Sequence, residues 1–290
     1  MVYQIFSIVF PVFAIVVAGF LYGRRHLPDM AAANKLNMDI FTPALIFSVL
    51  SAENFDISHY GELALGAAFI VLGSGLLAWP VSRLSGYDPK TFIPPVMFTN
   101  SGNMGLPLAV FAFGENALPA AVMLFIVENT LHFTVGSKIL DRGAPLRMIF
   151  RLPMLIATLA GLFMSLLQWN MPAVIATPIE MVGQIAIPLM LFSLGVRLTA
   201  IDYTDWQVGV VSAITTPLTG VLLALVYNAL FPVPASQYAL FILFGALPPA
   251  VLNFMVAEKY RQEPARVASI VMLGNLASII TVPLVLAYVL

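Results

Sequence analysis

Ten long apolar segments dominate this chain, near residues 3–22, 31–50, 60–82, 92–113, 119–138, 149–169, 175–196, 207–231, 238–257 and 266–289. About 20 apolar residues wound as a helix span a hydrocarbon layer of roughly 30 Å. The runs are continuous rather than alternating, so they do not read as barrel strands. The expectation is therefore an all-α integral membrane protein with ten transmembrane helices. Composition agrees, with 60% hydrophobic and 9% charged residues, where soluble domains carry about a quarter charged. The first segment has no charged residues before its apolar run and reads as a helix rather than a signal peptide. A net charge of −1 provides no basic face for nucleic acid. The absence of Cys excludes disulfides and thiolate metal sites. No pattern calls for a cofactor or metal.

The basic residues orient the spans. Arg24, Arg25, Lys35, Arg83, Lys90, Lys138, Arg142, Arg147, Arg151, Arg197, Lys259, Arg261 and Arg266 are all 13 Lys and Arg residues, and a ten-span arrangement puts every one on the same side. The positive-inside tendency makes that side cytoplasmic, leaving both termini outside the cytoplasm in a cell (inner) membrane.

The chain also repeats itself. Pro43-Ala44-Leu45-Ile46-Phe47-Ser48 returns as Pro188-Leu189-Met190-Leu191-Phe192-Ser193, while Pro11, Ala18 and Gly19 return as Pro153, Ala160 and Gly161. Halves of five spans each, residues 1–144 and 145–290, must enter the membrane with opposite polarity. Inverted repeats are the sequence sign of transporters in which one part rocks against another.

Two segments, one in each half, look interrupted. The fourth carries Thr99-Asn100-Ser101-Gly102-Asn103-Met104-Gly105-Leu106-Pro107, and the ninth carries Gly245-Ala246-Leu247-Pro248-Pro249-Ala250-Val251-Leu252-Asn253. Tandem proline removes two backbone donors and clashes with the preceding turn. Unpaired backbone in hydrocarbon costs several kcal/mol per group, so such breaks persist only where protein or water satisfies them. Their equivalent positions bring them together across the axis relating the halves. Each following half-helix then begins at the midplane with free N–H groups and a positive dipole end, which suits a carboxylate. Asn100, Asn103 and Asn253 add amide donors. Ser101, Gly102 and Pro249 join them as candidate binding residues.

At these residues the chain resembles the auxin efflux carrier family, which includes bacterial carriers of small organic acids. Asn-Ser-Gly-Asn-Met-Gly-Leu-Pro-Leu at 100–108 resembles the family's fourth-helix motif. Ala246-Leu247-Pro248 followed by Val256-Ala257-Glu258-Lys259-Tyr260 is similar to its ninth-helix pattern, and Phe192-Ser193-Leu194-Gly195 to its seventh. The resemblance implies the fold of bile-acid sodium symporters: a scaffold of helices one, two, six and seven, and a core of helices three to five and eight to ten with crossed, broken helices four and nine. It also implies carboxylate binding beside the crossing, at Asn100 and the Pro107 and Pro248 turns. Two departures stand out: only about a dozen residues join spans five and six, and Asn253 stands where the family often has proline. A small mono- or dicarboxylate is a better expectation than auxin.

Ionisable residues inside apolar segments suggest ion or proton pathways. Asp39 in span two, near Asn37, Thr42 and Pro43, is one candidate. Glu128 and His132, four apart on one helical face, are another. Glu180 and Gln184 form a similar pair in span seven. The leading expectation is a secondary transporter of a small organic anion working by elevator-type alternating access, with proton coupling, sodium coupling, ion-free transport and a homodimer all left open. An intramembrane hydrolase built on Ser101 and His132 and a channel are the rival classes. Gly66, Gly73 and Gly75 in span three read as close-packing positions.

Overall fold

The computed structural model describes residues 2–26, 28–53, 55–144, 146–169, 171–199 and 205–290. Pro145, where the second half was expected to begin, lies outside them, and the Arg147 side chain is also undescribed. Among the described residues the chain is helical with no named strand; a single isolated bridge pairs two loops.

The α-helices run α1 Val2–His26, α2 Ala31–Leu36, α3 Thr42–Leu50, α4 Gly61–Leu84, α5 Pro89–Met97, α6 Leu106–Phe113, α7 Leu118–Leu131 and α8 Ser137–Leu140. The second half contributes α9 Pro153–Leu166, α10 Ala173–Gly183, α11 Ala186–Arg197, α12 Trp206–Leu230, α13 Ala235–Gly245, α14 Leu252–Tyr260 and α15 Pro264–Val289. Short π-helical turns, Asn37–Phe41, Ser101–Gly105 and His132–Gly136, lead into α3, α6 and α8. Proline near the first position, where its missing N–H costs nothing, helps start α3, α5, α6, α7, α9 and α15. Asp88 caps α5 by accepting from the Lys90 N–H at 2.8 Å.

Among the described residues, six helical stretches are long and apolar enough to cross a membrane by length and composition: Ile5–His26, Ile57–Leu84, Glu115–Leu140, Ala173–Arg197, Trp206–Leu230 and Pro264–Val289. Their outward faces are apolar, with Leu76, Leu84 and Val174 largely exposed. All three Trp residues, Trp79, Trp169 and Trp206, are exposed at or near helix ends, where aromatic rings sit at a membrane interface.

Packing follows two groupings. In one, α1 lies along α11, and α3 lies against α9 and α10; in the other, α12 packs on α15, α4, α5 and α13. Small residues set the first contacts. A Cβ at Gly195 would overlap the Val16 carbonyl, one at Gly19 would overlap the Phe192 carbonyl, and one at Gly161 would lie 2.8 Å from the Leu50 Cβ and 3.4 Å from the Phe47 carbonyl. Gly66, Gly73 and Gly75 do permit close packing: a Cβ at each would run into Phe241, Leu223 and Met97 respectively.

Candidate functional site

The two interrupted segments meet. α13 stops at Gly245 because Leu247 and Pro248 each precede a proline, which disfavours the helical conformation. α5 stops at Met97, before Thr99-Asn100-Ser101, side chains that compete for backbone hydrogen bonds. The freed strands then satisfy one another in an antiparallel bridge between Thr99 and Pro249. The Asn100 N–H donates to the Pro248 carbonyl at 2.6 Å, and the Ala250 N–H donates to the Phe98 carbonyl at 3.0 Å. Backbone that would be intolerable in hydrocarbon is thereby paired across the crossing.

Three side chains complete that pairing. Asn253 Nδ2 donates to the Phe98 carbonyl at 2.8 Å and to its own helix at Ala250, 3.0 Å. Asn275, from the middle of α15, donates to the Pro249 carbonyl at 3.0 Å and accepts from Asn100 Nδ2 at 3.0 Å, so one amide ties both breaks together. Glu128 Oε1 accepts the Thr99 N–H. Asn275 was not singled out from the sequence; its signal was an amide stranded in an apolar span, which in a membrane marks a functional position.

A recess of about 820 Å³, counting its open mouth, lies beside the crossing. Asn100, Ser101, Gly102 and Asn103 line it, as do Glu128 and His132. His132 is buried and stacks on Phe98, with ring centroids 4.2 Å apart. Asn37, Thr42, Ser193 and Arg197 add polar groups from the π-helical turn before α3, the start of α3 and α11. Seven buried side-chain atoms among the described residues lack a hydrogen-bond partner, and five of them belong to recess residues: Asn37 Oδ1, Thr42 Oγ1, Thr99 Oγ1, Glu128 Oε2 and Ser193 Oγ. Unsatisfied buried polar groups cost about 1–3 kcal/mol each. Their concentration at one recess marks a place built for polar contents. Ser193, read from the sequence only as part of a repeat and motif, and Arg197, read only as an orienting charge, were not expected at the site, because only the packing of α11 turns them to the recess.

Other expected residues stand elsewhere. Pro107, Pro248, Pro249 and Asn253 do not line the recess, and both Asn253 amide hydrogens are engaged at the crossing. Asp39 also lies outside it. Its side chain is 40% exposed and paired with Lys35 one turn away, in contrast to the deep position expected of it. Asn37, two residues earlier and so on the opposite face, is the one turned inward. Glu180 and Gln184, 3.4 Å apart, line a separate wide cleft at the other end of α11 with Glu53 and Glu115. The described residues contain no group of three or more His, Cys, Asp or Glu arranged to hold a metal.

Comparison with known proteins adds two findings. The profile of a family described as "Membrane transport protein" matches residues 4–148 and 143–286. A protein of Rhizobium meliloti (strain 1021) named "Putative malonate transporter" is 26% identical over an alignment of 303 residues, covering 96% of this chain and 94% of that one.

Proposed function

This chain belongs to the membrane transport protein family, that of the auxin efflux carriers, and on that premise we propose that it carries a small organic acid anion across a cell membrane as a secondary transporter. The family and the Rhizobium relative are transporters rather than enzymes, so Ser101 and His132 act here as lining residues and not as a hydrolytic pair. The observation that carries the reading is the crossing itself: two mutually paired breaks beside a recess that gathers most of the unpartnered buried polar atoms. Below Asn100, the helix opening at Ser101 leaves the N–H groups of its first turn without intrahelical partners, as at any helix start, the first bonds running from Met104 and Gly105 to the Asn100 carbonyl. A carboxylate placed there accepts those donors and the remaining Asn100 amide hydrogen. The name of the Rhizobium relative makes malonate the first substrate to try.

The carrier reading includes ten crossings, two inverted five-helix halves, and termini outside the cytoplasm. Reciprocal packing supports the halves: Gly19 of the first meets Phe192 of the second, while Gly161 of the second meets Phe47 of the first, pairs related by the repeat. The reading takes the two packing groups as a scaffold and a core that slide past one another in elevator-type access, supported by the recess and the wide cleft lying toward opposite ends of α11.

Protons are the better coupling ion. The Phe98 and Asn100 carbonyls each accept two hydrogen bonds and are not free for sodium, so a sodium-coupled alternative would have to use the unpartnered Thr99 hydroxyl and Asn253 amide oxygen. Glu128, by contrast, holds a break through one oxygen and turns an unpartnered oxygen to its surroundings, so protonation there couples directly to the crossing. In proteoliposomes, malonate uptake is expected to accelerate with an inward proton gradient and not with sodium. Glu128→Gln, which keeps the acceptor for Thr99, is expected to abolish the gradient response while sparing malonate exchange. Wild-type uptake indifferent to the proton gradient would refute the coupling, and no uptake of any small carboxylate would refute the transport reading.

A further inference from the structure

We infer that Arg197 makes this site selective for acids with two carboxylates, one held at the breaks and the other by the Arg197 guanidinium. The inference rests on the carboxylate reading above and adds a second contact point to it. α11 turns Met190, Ser193, Leu194 and Arg197 to the recess, the spacing of a single helical face. Ser193 and Arg197 therefore lie one turn apart, and the Ser193 hydroxyl is buried without a partner.

Arg197 is itself half-buried and poorly matched. Among the described residues its one hydrogen bond runs from Nη2 to the Met255 sulfur at 3.4 Å, a weak acceptor. Glu258 acts on it electrostatically, but no carboxylate among the described residues lies within ion-pair distance. A guanidinium offers five donors in a planar fork that fits a carboxylate with two parallel bonds. Among the described recess residues Arg197 is the one Lys or Arg and Glu128 the one acid; one Glu128 oxygen is held by the Thr99 N–H, and no ion pair joins Glu128 to Arg197. A monocarboxylate at the breaks leaves the arginine unmatched; a dicarboxylate satisfies both ends.

Calorimetric titration with malonate and with its monomethyl ester, nearly the same acid with one end blocked, tests this. Purified wild-type protein is expected to bind malonate at least about tenfold more tightly than the ester. Arg197→Gln is expected to erase that preference by weakening malonate alone, and Asn100→Ala to weaken both ligands. Arg197→Lys, which keeps the charge but not the fork, is expected to fall between, and it decides the matter should the Gln variant not fold. An Arg197→Gln or Arg197→Lys protein that keeps the full wild-type preference overturns the inference. Binding of both ligands with equal strength by the wild type also overturns it, while leaving the carboxylate site in place. Wild-type protein that binds neither acid overturns the underlying reading instead.

Discussion

Gly195→Ala is expected to destabilise the protein by about 2 kcal/mol or more, lowering Tm by roughly 4–8 °C. The sign is the point, because the same change inside an exposed helix stabilises by about 1 kcal/mol. At Gly195 the added Cβ would overlap the Val16 carbonyl and stand 2.8 Å from the Phe20 nitrogen. Both are backbone atoms of α1, which cannot rotate aside as a flexible side chain would, so α1 and α11 must separate along their contact. Gly61 provides the contrast: a Cβ there meets nothing within 4 Å. Thermal denaturation of the detergent-purified variants should show Gly61→Ala at or slightly above wild type and Gly195→Ala well below it. Equal melting of both variants would mean that the close approach of α1 and α11 is not what holds this part of the fold.

Asn275→Leu is expected to cut transport at least about tenfold while the protein still reaches the membrane. Leucine is close in size and a better helix former, so α15 itself should persist. What disappears is the amide joining the breaks, leaving an Asn100 amide hydrogen and the Pro249 carbonyl without their partner. Each such loss at a buried position is worth about 1–3 kcal/mol, and Asn100 and Asn275 are only 3% and 5% exposed. The cost falls on the alignment of the two breaks, where a small displacement disorganises the donors facing the ligand. Uptake normalised to the amount of protein in the liposomes measures it. Wild-type uptake by the Leu variant would show that Asn275 does not align the crossing.

What could be read from the residues was what local chemistry dictates. Tandem proline at 248 and 249 and the polar run from Thr99 to Asn103 announce breaks whatever surrounds them, and the structure interrupts both helices there. Glu128 and His132, four apart, had to share a face, and that face does border the recess. What could not be read was which face of an apolar helix meets which neighbour. Asp39 and Asn37 occupy the same short segment, yet one pairs with Lys35 at the surface and the other turns inward. Hydrophobic periodicity cannot separate them, because lipid and protein interior are both apolar. Asn275 and Arg197 were hidden for a related reason: their partners lie far away in the chain, Asn275 being 175 residues from Asn100 and Arg197 being 58 from Met255.

Occupation of the recess beside the crossing by a small carboxylate can be tested by protection from alkylation. The chain has no cysteine, so single-cysteine variants report without background. Asn129 lines the recess and bonds only to its own helix, at the Phe125 carbonyl, whereas Ser51 lines the separate cleft. Malonate is expected to slow maleimide labelling of the Asn129→Cys protein in a saturable way and to leave Ser51→Cys labelling unchanged. Labelling of Asn129→Cys that is indifferent to saturating malonate, acetate, pyruvate and succinate alike would contradict the claim.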